Sequence, residues 1–247
     1  MTAYSSLARF YDSLTTDVPY EAFADFYEDI FKLYGLEVKT ILDLACGTGT
    51  MTHLLAGRGY EMIGADASPD MLSVAAQKAG RAAVEPVFIC QGMEELDLYG
   101  TVDAVVCTLD GINYLPPGDS LARAIHRVRL FLEPGGVFIF DINTPLKLRE
   151  LDGEVFIDET DEIFCVWRAE FDETKNACLY GIDMFSKSKG ALWERSSEEH
   201  IEYVHEPHEL VEILNAGGFV EVRMFGELKM AEPSQEEQRV FIAARKR

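Results

Sequence analysis

Two aspartates, each following an apolar run, are the residues best placed to do chemistry in this chain. Asp43 lies in Leu42-Asp43-Leu44-Ala45-Cys46-Gly47-Thr48-Gly49-Thr50, and Asp66 closes Glu61-Met62-Ile63-Gly64-Ala65-Asp66, seventeen positions after Gly49. A loop containing Gly47 and Gly49, set between a strand and a helix, can turn tightly and bring backbone close to a ligand. A carboxylate at the end of the next strand can accept hydrogen bonds from both hydroxyls of a ribose. Read alone, Asp66 is also an ordinary helix-entry residue; the glycine loop before it favours the ribose. The loop is not a dinucleotide fingerprint, which runs G-x-G-x-x-G. The third position after Gly49 is Thr52, and the acidic residue precedes the loop at Asp43.

Two further stretches follow apolar runs in the same way. One is Gln91-Gly92-Met93-Glu94-Glu95-Leu96, and the other runs from Val105 through Thr108-Leu109-Asp110-Gly111-Ile112-Asn113-Tyr114-Leu115. In open α/β sheets ligands bind at the carboxyl ends of the strands. This makes Tyr114, Asn113 and Asn143 candidates for contact with a second substrate. His200, in Glu198-Glu199-His200, ionises near neutrality and could serve as a base, although a lone histidine on a strand is also an ordinary structural residue. His205 and His208, on either side of Pro207, read as loop and helix-start residues. No metal-ligand spacing, no Ser-His-Asp arrangement and no G-x-S-x-G pattern is present.

The elements that must position these groups are legible from periodicity. Phe23, Phe26, Tyr27, Ile30 and Phe31 recur at helical spacing. Strands are expected at 40–44, 61–66, 87–91, 102–108 and 137–142. A helix carrying Leu121, Ile125, Val128 and Leu132 should stop at Glu133-Pro134-Gly135-Gly136. Ser68 suits an N-cap, Pro69 the first helical position and Asp70 the helix dipole. Apolar strands alternating with amphipathic helices imply a parallel sheet covered on both faces. After residue 150 the period changes to two. Ile163, Cys165, Trp167, Ala169 and Phe171 alternate onto one face, then Cys178, Tyr180, Ile182 and Met184, with turns at 172–176 and at Lys187-Ser188-Lys189-Gly190. A helix from Pro207 to Gly217-Gly218 and a hairpin of two last strands, near 219–228 and 238–244, complete the pattern. The expected fold is a doubly wound, seven-stranded, mostly parallel α/β sheet with a small antiparallel β insertion. Residues 1–150 and 204–247 would form the core, and residues 151–203 an inserted lid.

The glycine loop with its leading Asp43 resembles motif I of the class I S-adenosylmethionine-dependent methyltransferases, whose loop wraps a methionine tail and ribose. The resemblance extends over nearly the whole chain. Phe10-Tyr11-Asp12 and Val18-Pro19-Tyr20 are similar to small bacterial methyltransferases, and the layout more distantly resembles glycine N-methyltransferase and the amino-sugar N,N-dimethyltransferases. It implies a Rossmann-like fold and S-adenosylmethionine as cofactor, with S-adenosylhomocysteine as product and no metal. It implies cofactor contacts from Asp43, Ala45, Gly47, Gly49, Asp66, Ala67, Met71, Gly92, Met93 and Thr108, and from Tyr11 above. The family usually has Asp where Gly92 stands, taking the adenine amino group; Glu94 is a candidate substitute. Tyr114, matching a position that often holds an acceptor-facing His, and His200 are the candidate catalytic residues. Their structural alternatives are a helix-capping Tyr and a packed strand His.

Composition narrows the partners. There are 22 basic and 43 acidic residues in 247, a formal net charge of −21. Such a surface repels nucleic acid and anionic lipid, so a small-molecule acceptor is expected. No apolar run approaches the roughly 20 residues that span a bilayer, and Met1-Thr2-Ala3-Tyr4-Ser5 lacks a signal-peptide pattern. The five cysteines are odd in number and widely spaced, as expected of free thiols in a reducing cytoplasm. A homodimer is compatible with the sequence, and nothing requires one. The expected activity (EC 2.1.1.-) is methyl transfer to an N or O atom of a small molecule. The alternatives are an RNA or protein methyltransferase and a non-catalytic cofactor-binding protein.

Overall fold

Strand-helix alternation builds the first two-thirds of the molecule. The computed structural model describes residues 6–78, 84–188, 190 and 192–247. Helices α1 (Tyr11–Leu14) and α2 (Tyr20–Tyr34) precede β1 (Thr40–Leu44), α3 (Thr50–Gly57), β2 (Glu61–Asp66), α4 (Pro69–Gln77) and β3 (Val87–Cys90). Then come β4 (Val102–Cys107), a 3-10 turn (Gly111–Tyr114), α5 (Asp119–Phe131), β5 (Leu132–Asn143) and α6 (Pro145–Glu150). Strands β6 (Val155–Glu159), β7 (Ile163–Asp172), β8 (Ala177–Lys187) and β9 (Trp193–Tyr203) follow, then α7 (Pro207–Ala216), β10 (Phe219–Gly226) and β11 (Arg239–Lys246).

The first sheet has seven strands in the order β10-β11-β5-β4-β1-β2-β3. Strands β1 to β5 are parallel, and β10 and β11 form an antiparallel hairpin at one edge. Strand order reverses between β1 and β4, so their carboxyl ends part and leave a crevice. Alternation along the strands feeds two cores. Leu42, Val105, Phe138 and Phe140 join α5 and α7 on one face, and Ile41, Ala104, Val106 and Ile139 join α2 and α3 on the other. Ser68 caps α4 by accepting from the Met71 N–H at 3.3 Å, with Pro69 at the first helical position.

One boundary differs from expectation. Helix α5 ends at Phe131, and β5 already begins at Leu132. Val102 pairs with Leu132 but Ala104 pairs with Val137, so Pro134-Gly135-Gly136 forms an irregularity within the strand. Gly136 permits this, because a Cβ there would lie 2.6 Å from the Asp103 carbonyl oxygen.

The second sheet is antiparallel, in the order β6-β7-β8-β9. The alternation expected on β7 and β8 is present: Ile163, Cys165, Ile182 and Met184 are buried on one face, together with Leu7. The 172–176 turn is closed by Asn176 at φ +49°. The expected turn at 187–190 includes Lys189, which lies outside the described residues, as does the segment 1–5. All five cysteines are free: Cys107, Cys165 and Cys178 are buried, Cys46 is partly covered and Cys90 is exposed. No described helix is long and apolar enough to cross a membrane.

Candidate active site

A cavity of about 450 Å³ opens at the carboxyl ends of β1, β2 and β4, a size that suits a small-molecule ligand. Asp43, Ala45, Gly47, Asp66 and Ala67 reach it from the first two strands. Met71, Gly92 and Met93 form its far end, and Thr108 and Tyr114 the near end beside Tyr11. Of the thirteen residues expected to bind the cofactor or act in catalysis, eleven line it; Gly49 and His200 do not, nor do the acceptor candidates Asn113 and Asn143.

The glycine loop is held by backbone bonds. The Cys46 N–H donates to Ala65 at 3.0 Å, and the Gly47 N–H donates to the Asp66 carboxylate at 2.9 Å. The Ser68 N–H donates to the other Asp66 oxygen at 2.7 Å. Burial raises the Asp66 carboxyl above the ordinary carboxylate range, and these N–H donors oppose it. Ala45, Gly47 and Gly49 all have positive φ. Gly49 serves packing rather than the ligand: a Cβ there would meet Ala75 and Phe88 at 3.0 Å.

Asp43 is 1% exposed and accepts from the Thr52 hydroxyl at 2.5 Å. Burial pushes its carboxyl up to about 7, and the Thr52 hydroxyl pulls the other way. The residue standing where a dinucleotide loop has its third glycine is therefore the partner of the loop's own carboxylate. Asp12 ties α1 down over the loop. It accepts from Thr48 at 2.6 Å and Thr50 at 3.2 Å and pairs with Lys78 at 2.7 Å, so Tyr11 is held at the cavity mouth.

The near end is built from distant segments. Thr108 shares a 2.9 Å hydrogen bond with Tyr27. Leu109 and Asp110 both adopt left-handed backbone, at φ +61° and +52°. Their N–H groups donate to the buried Asp141 carboxylate at 2.9 and 3.0 Å. Arg239 of β11 pairs with Asp141 and reaches Asp110 at 2.8 Å. Burial raises the Asp141 carboxyl, and the Arg239 charge opposes that. Two consecutive residues in this sparsely populated conformation persist because the carboxylate holds both. Behind Tyr114 stands His200, 2% exposed, with Nδ1 3.3 Å from the Tyr114 hydroxyl and Nε2 3.2 Å from a Glu198 oxygen. Glu198 also accepts from the backbone N–H groups of Ser6 and Leu7.

Three sequence candidates are reassigned by the structure. Glu94 lines the cavity, but its carboxylate is engaged by Arg123, so it is not placed to substitute for an acid at position 92. Asn113 is fully buried, donating to Asn143 and Tyr203 carbonyls at 3.2 and 3.0 Å and accepting from the Asn143 N–H at 3.0 Å. The Asn143 amide is likewise spent on Glu202 and Lys147. Both asparagines stitch the two sheets together and offer nothing to a substrate. His205 is buried with Nε2 3.0 Å from the Leu115 carbonyl, as a loop residue. Sequence reasoning missed Asp12, Thr52 and Glu198; Asp12 sat in plain view beside Tyr11, whereas Thr52 and Glu198 gain meaning only from what they touch. Among the described residues no group of three or more His, Cys, Asp or Glu could hold a metal ion.

A family model described as "Methyltransferase domain" matches residues 41–136. The methyltransferase-family protein YqeM of Bacillus subtilis (strain 168) is 30% identical over 246 residues, covering 98% of this chain and 97% of that one. An S-adenosylmethionine-dependent methyltransferase from Clostridium acetobutylicum ATCC 824 superimposes with a TM-score of 0.86 at 29% identity, covering 99% of each chain. The chain belongs to the class I S-adenosylmethionine-dependent methyltransferases. The fold of this methyltransferase is also that of the sugar N-methyltransferase KedS8 from Streptoalloteichus sp ATCC 53650, with a TM-score of 0.80 at 19% identity over 100% of this chain and 93% of that one.

Proposed function

We propose that the methyltransferase binds S-adenosylmethionine in the cavity and moves its methyl group to an N or O atom of a small molecule lodged against Tyr114. The observation that carries this reading is the single cavity lined at once by the glycine loop, Asp66, the 91–95 loop and Tyr114. The bound cofactor supplies a methyl group on a sulfonium, an excellent leaving group. The chain's task is to align the acceptor and exclude water. Asp66 at the end of β2 is the acceptor for ribose hydroxyls, and the loop from Ala45 to Gly47 cradles the amino-acid tail. Tyr11 and Thr108 close the cavity around the transferring end. Residues 151–203 act as a lid over the core formed by 1–150 and 204–247.

An acceptor amine or hydroxyl must shed a proton, and Tyr114, His200 and Glu198 form a route for it. With the Glu198 carboxylate accepting from an Nε2-bound hydrogen, His200 Nδ1 would accept from the Tyr114 hydroxyl. Tyr114 can then take the acceptor's proton while passing its own to His200. A sugar N-methyltransferase of the same fold supports an amine as the first acceptor class to try.

Titration calorimetry with S-adenosylmethionine and S-adenosylhomocysteine tests the cofactor site. Wild type should bind both, and Asp66→Ala should lose roughly a hundred-fold in affinity, the worth of two hydrogen bonds to a charged group. A methyl-transfer screen on small amines and alcohols then tests the acceptor. Failure to bind either ligand defeats the reading.

A further inference from the structure

Resting on the cofactor reading above, we infer that Glu95 recognises the amino group of the cofactor's base. The sheet order sets out the cavity in sequence. Thr108 and Tyr114 follow β4, Asp66 ends β2, and the 91–95 loop follows β3, the strand outside β2. With the ribose held at Asp66, the group one step further out is the base. The far end offers what a purine needs: Met71 and Met93, 2% and 9% exposed, give it apolar walls.

Three side chains that can accept line that end, and two are engaged: Gln91 with the Asp97 backbone and Glu94 with Arg123. Glu95 lines the cavity, and its carboxylate makes no hydrogen bond or ion pair with any described residue. Its neighbour Glu94 is committed to Arg123. The absence of a side chain at Gly92 is what admits the Glu95 carboxylate: a Cβ on residue 92 would stand 2.7 Å from Glu95 Oε2, with the Ala67 Cβ next at 3.9 Å. A carboxylate carried three residues further along thus occupies the position that a side chain at 92 would hold. An ionised carboxylate only accepts hydrogen bonds. It therefore favours a purine bearing an amino group and repels one bearing an oxygen at the same carbon. A site built to bond one such group discriminates strongly against the other.

The experiment is calorimetric titration with S-adenosylhomocysteine and its 6-oxo counterpart, S-inosylhomocysteine. Circular dichroism checks that each variant is folded; Glu95 is exposed, so its replacement leaves the core intact. Wild type should prefer the amino ligand by about ten-fold or more. Glu95→Ala should lose about ten-fold for the amino ligand and little for the oxo ligand. Glu95→Gln, whose amide can both accept and donate, should bring the two affinities together. Gly92→Asp combined with Glu95→Ala should restore the preference, because the acid returns to the same place from the other residue. Wild-type affinity and preference retained in Glu95→Ala or Glu95→Gln overturns the inference alone, as does a double variant that fails to recover. Wild type binding neither ligand overturns the cofactor reading with it.

Discussion

One side of the cavity is made of backbone and the other of side chains. From Ala45 to Ser68 the wall is amide groups turned by positive φ, clamped by Asp66 through the N–H groups of Gly47 and Ser68. At the opposite end Tyr114, His200 and Glu198 hand hydrogen bonds from side chain to side chain, drawing residues 86 positions apart into contact. The difference separates two tasks. A backbone wall fixes shape and tolerates little change without disturbing the fold. A side-chain wall carries the chemistry and can be edited with the fold intact.

This comparison can be broken most readily at Gly49. Gly49→Val imposes a β-branched residue at φ +73° and drives it into Ala75 and Phe88. Strain and overpacking together should cost about 3 kcal/mol or more, read as a lower urea midpoint with an unchanged slope. A stable Gly49→Val protein would show that the loop is not held by packing.

Asp43 gives a pH test of the same wall. Its carboxyl is raised in the folded chain to about 7 from an ordinary 3.8. The native state therefore holds a proton that the unfolded chain has already released across that window. Stability from this group is full below about pH 4, falls as pH rises to about 7 and then levels off. Asp43→Asn removes the dependence. Its stability relative to wild type should improve between pH 4 and 7 by an amount on the order of 2–4 kcal/mol, measured by denaturant titration. A gain that is flat with pH would place the Asp43 carboxylate outside the buried environment described here.

Tyr114→Phe sharpens the side-chain half. It keeps the ring and removes the hydroxyl, so turnover should fall roughly 10- to 100-fold, about 1.4–2.7 kcal/mol in the barrier. Cofactor affinity and melting temperature should stay near wild type. Equal losses in affinity and turnover would make Tyr114 part of the cofactor wall instead.

The smallest effect belongs to the far face of the second sheet. Asp183 accepts from Ser197, Arg168 and Arg195, which in that order hold its carboxyl well below the usual range. Its folded pKa is depressed, so its contribution is present above about pH 4 and lost on acidification, the reverse of Asp43. Both arginines are more than half exposed, and solvent screening limits the effect of Asp183→Asn to about 1 kcal/mol. Neither ligand binding nor turnover should change. A loss of activity would mean that the outer face of the sheet reaches the site.

The backbone wall is also the half that sequence displays. Asp43 near the end of β1, Gly47 just after it and Asp66 closing β2 come in order, and the Ser68-Pro69 cap announces the next helix, because these are local decisions of a few residues. The side-chain half resists because it depends on pairing between sheets. That His200 backs Tyr114 follows from β9 lying beside β8 and over the Gly111–Tyr114 turn, a register no local pattern encodes. The same is true of Asn113 and Asn143, which sit at the carboxyl ends of strands yet face each other. Which of the adjacent Glu94 and Glu95 keeps its carboxylate unengaged at the cavity is settled by Arg123 on α5, 29 residues from Glu94. Gly49 looked like a ligand residue because its packing partner, Phe88, lies on a strand that the loop meets only in the fold.

The lip of the cavity has a position in time as well as in space. Leu109 and Asp110 keep their left-handed backbone through Asp141, and Asp141 is held by Arg239, which is 98 residues from it and 129 from Asp110. During synthesis the glycine loop and its aspartates emerge before β11, so Asp141 has no guanidinium partner until β11 has left the ribosome and inserted between β5 and β10. A nascent chain stopped short of Arg239 would carry every cofactor-facing residue and still lack a settled entrance. The site is thus finished only once the strand that carries Arg239 has been made, long after the glycine loop.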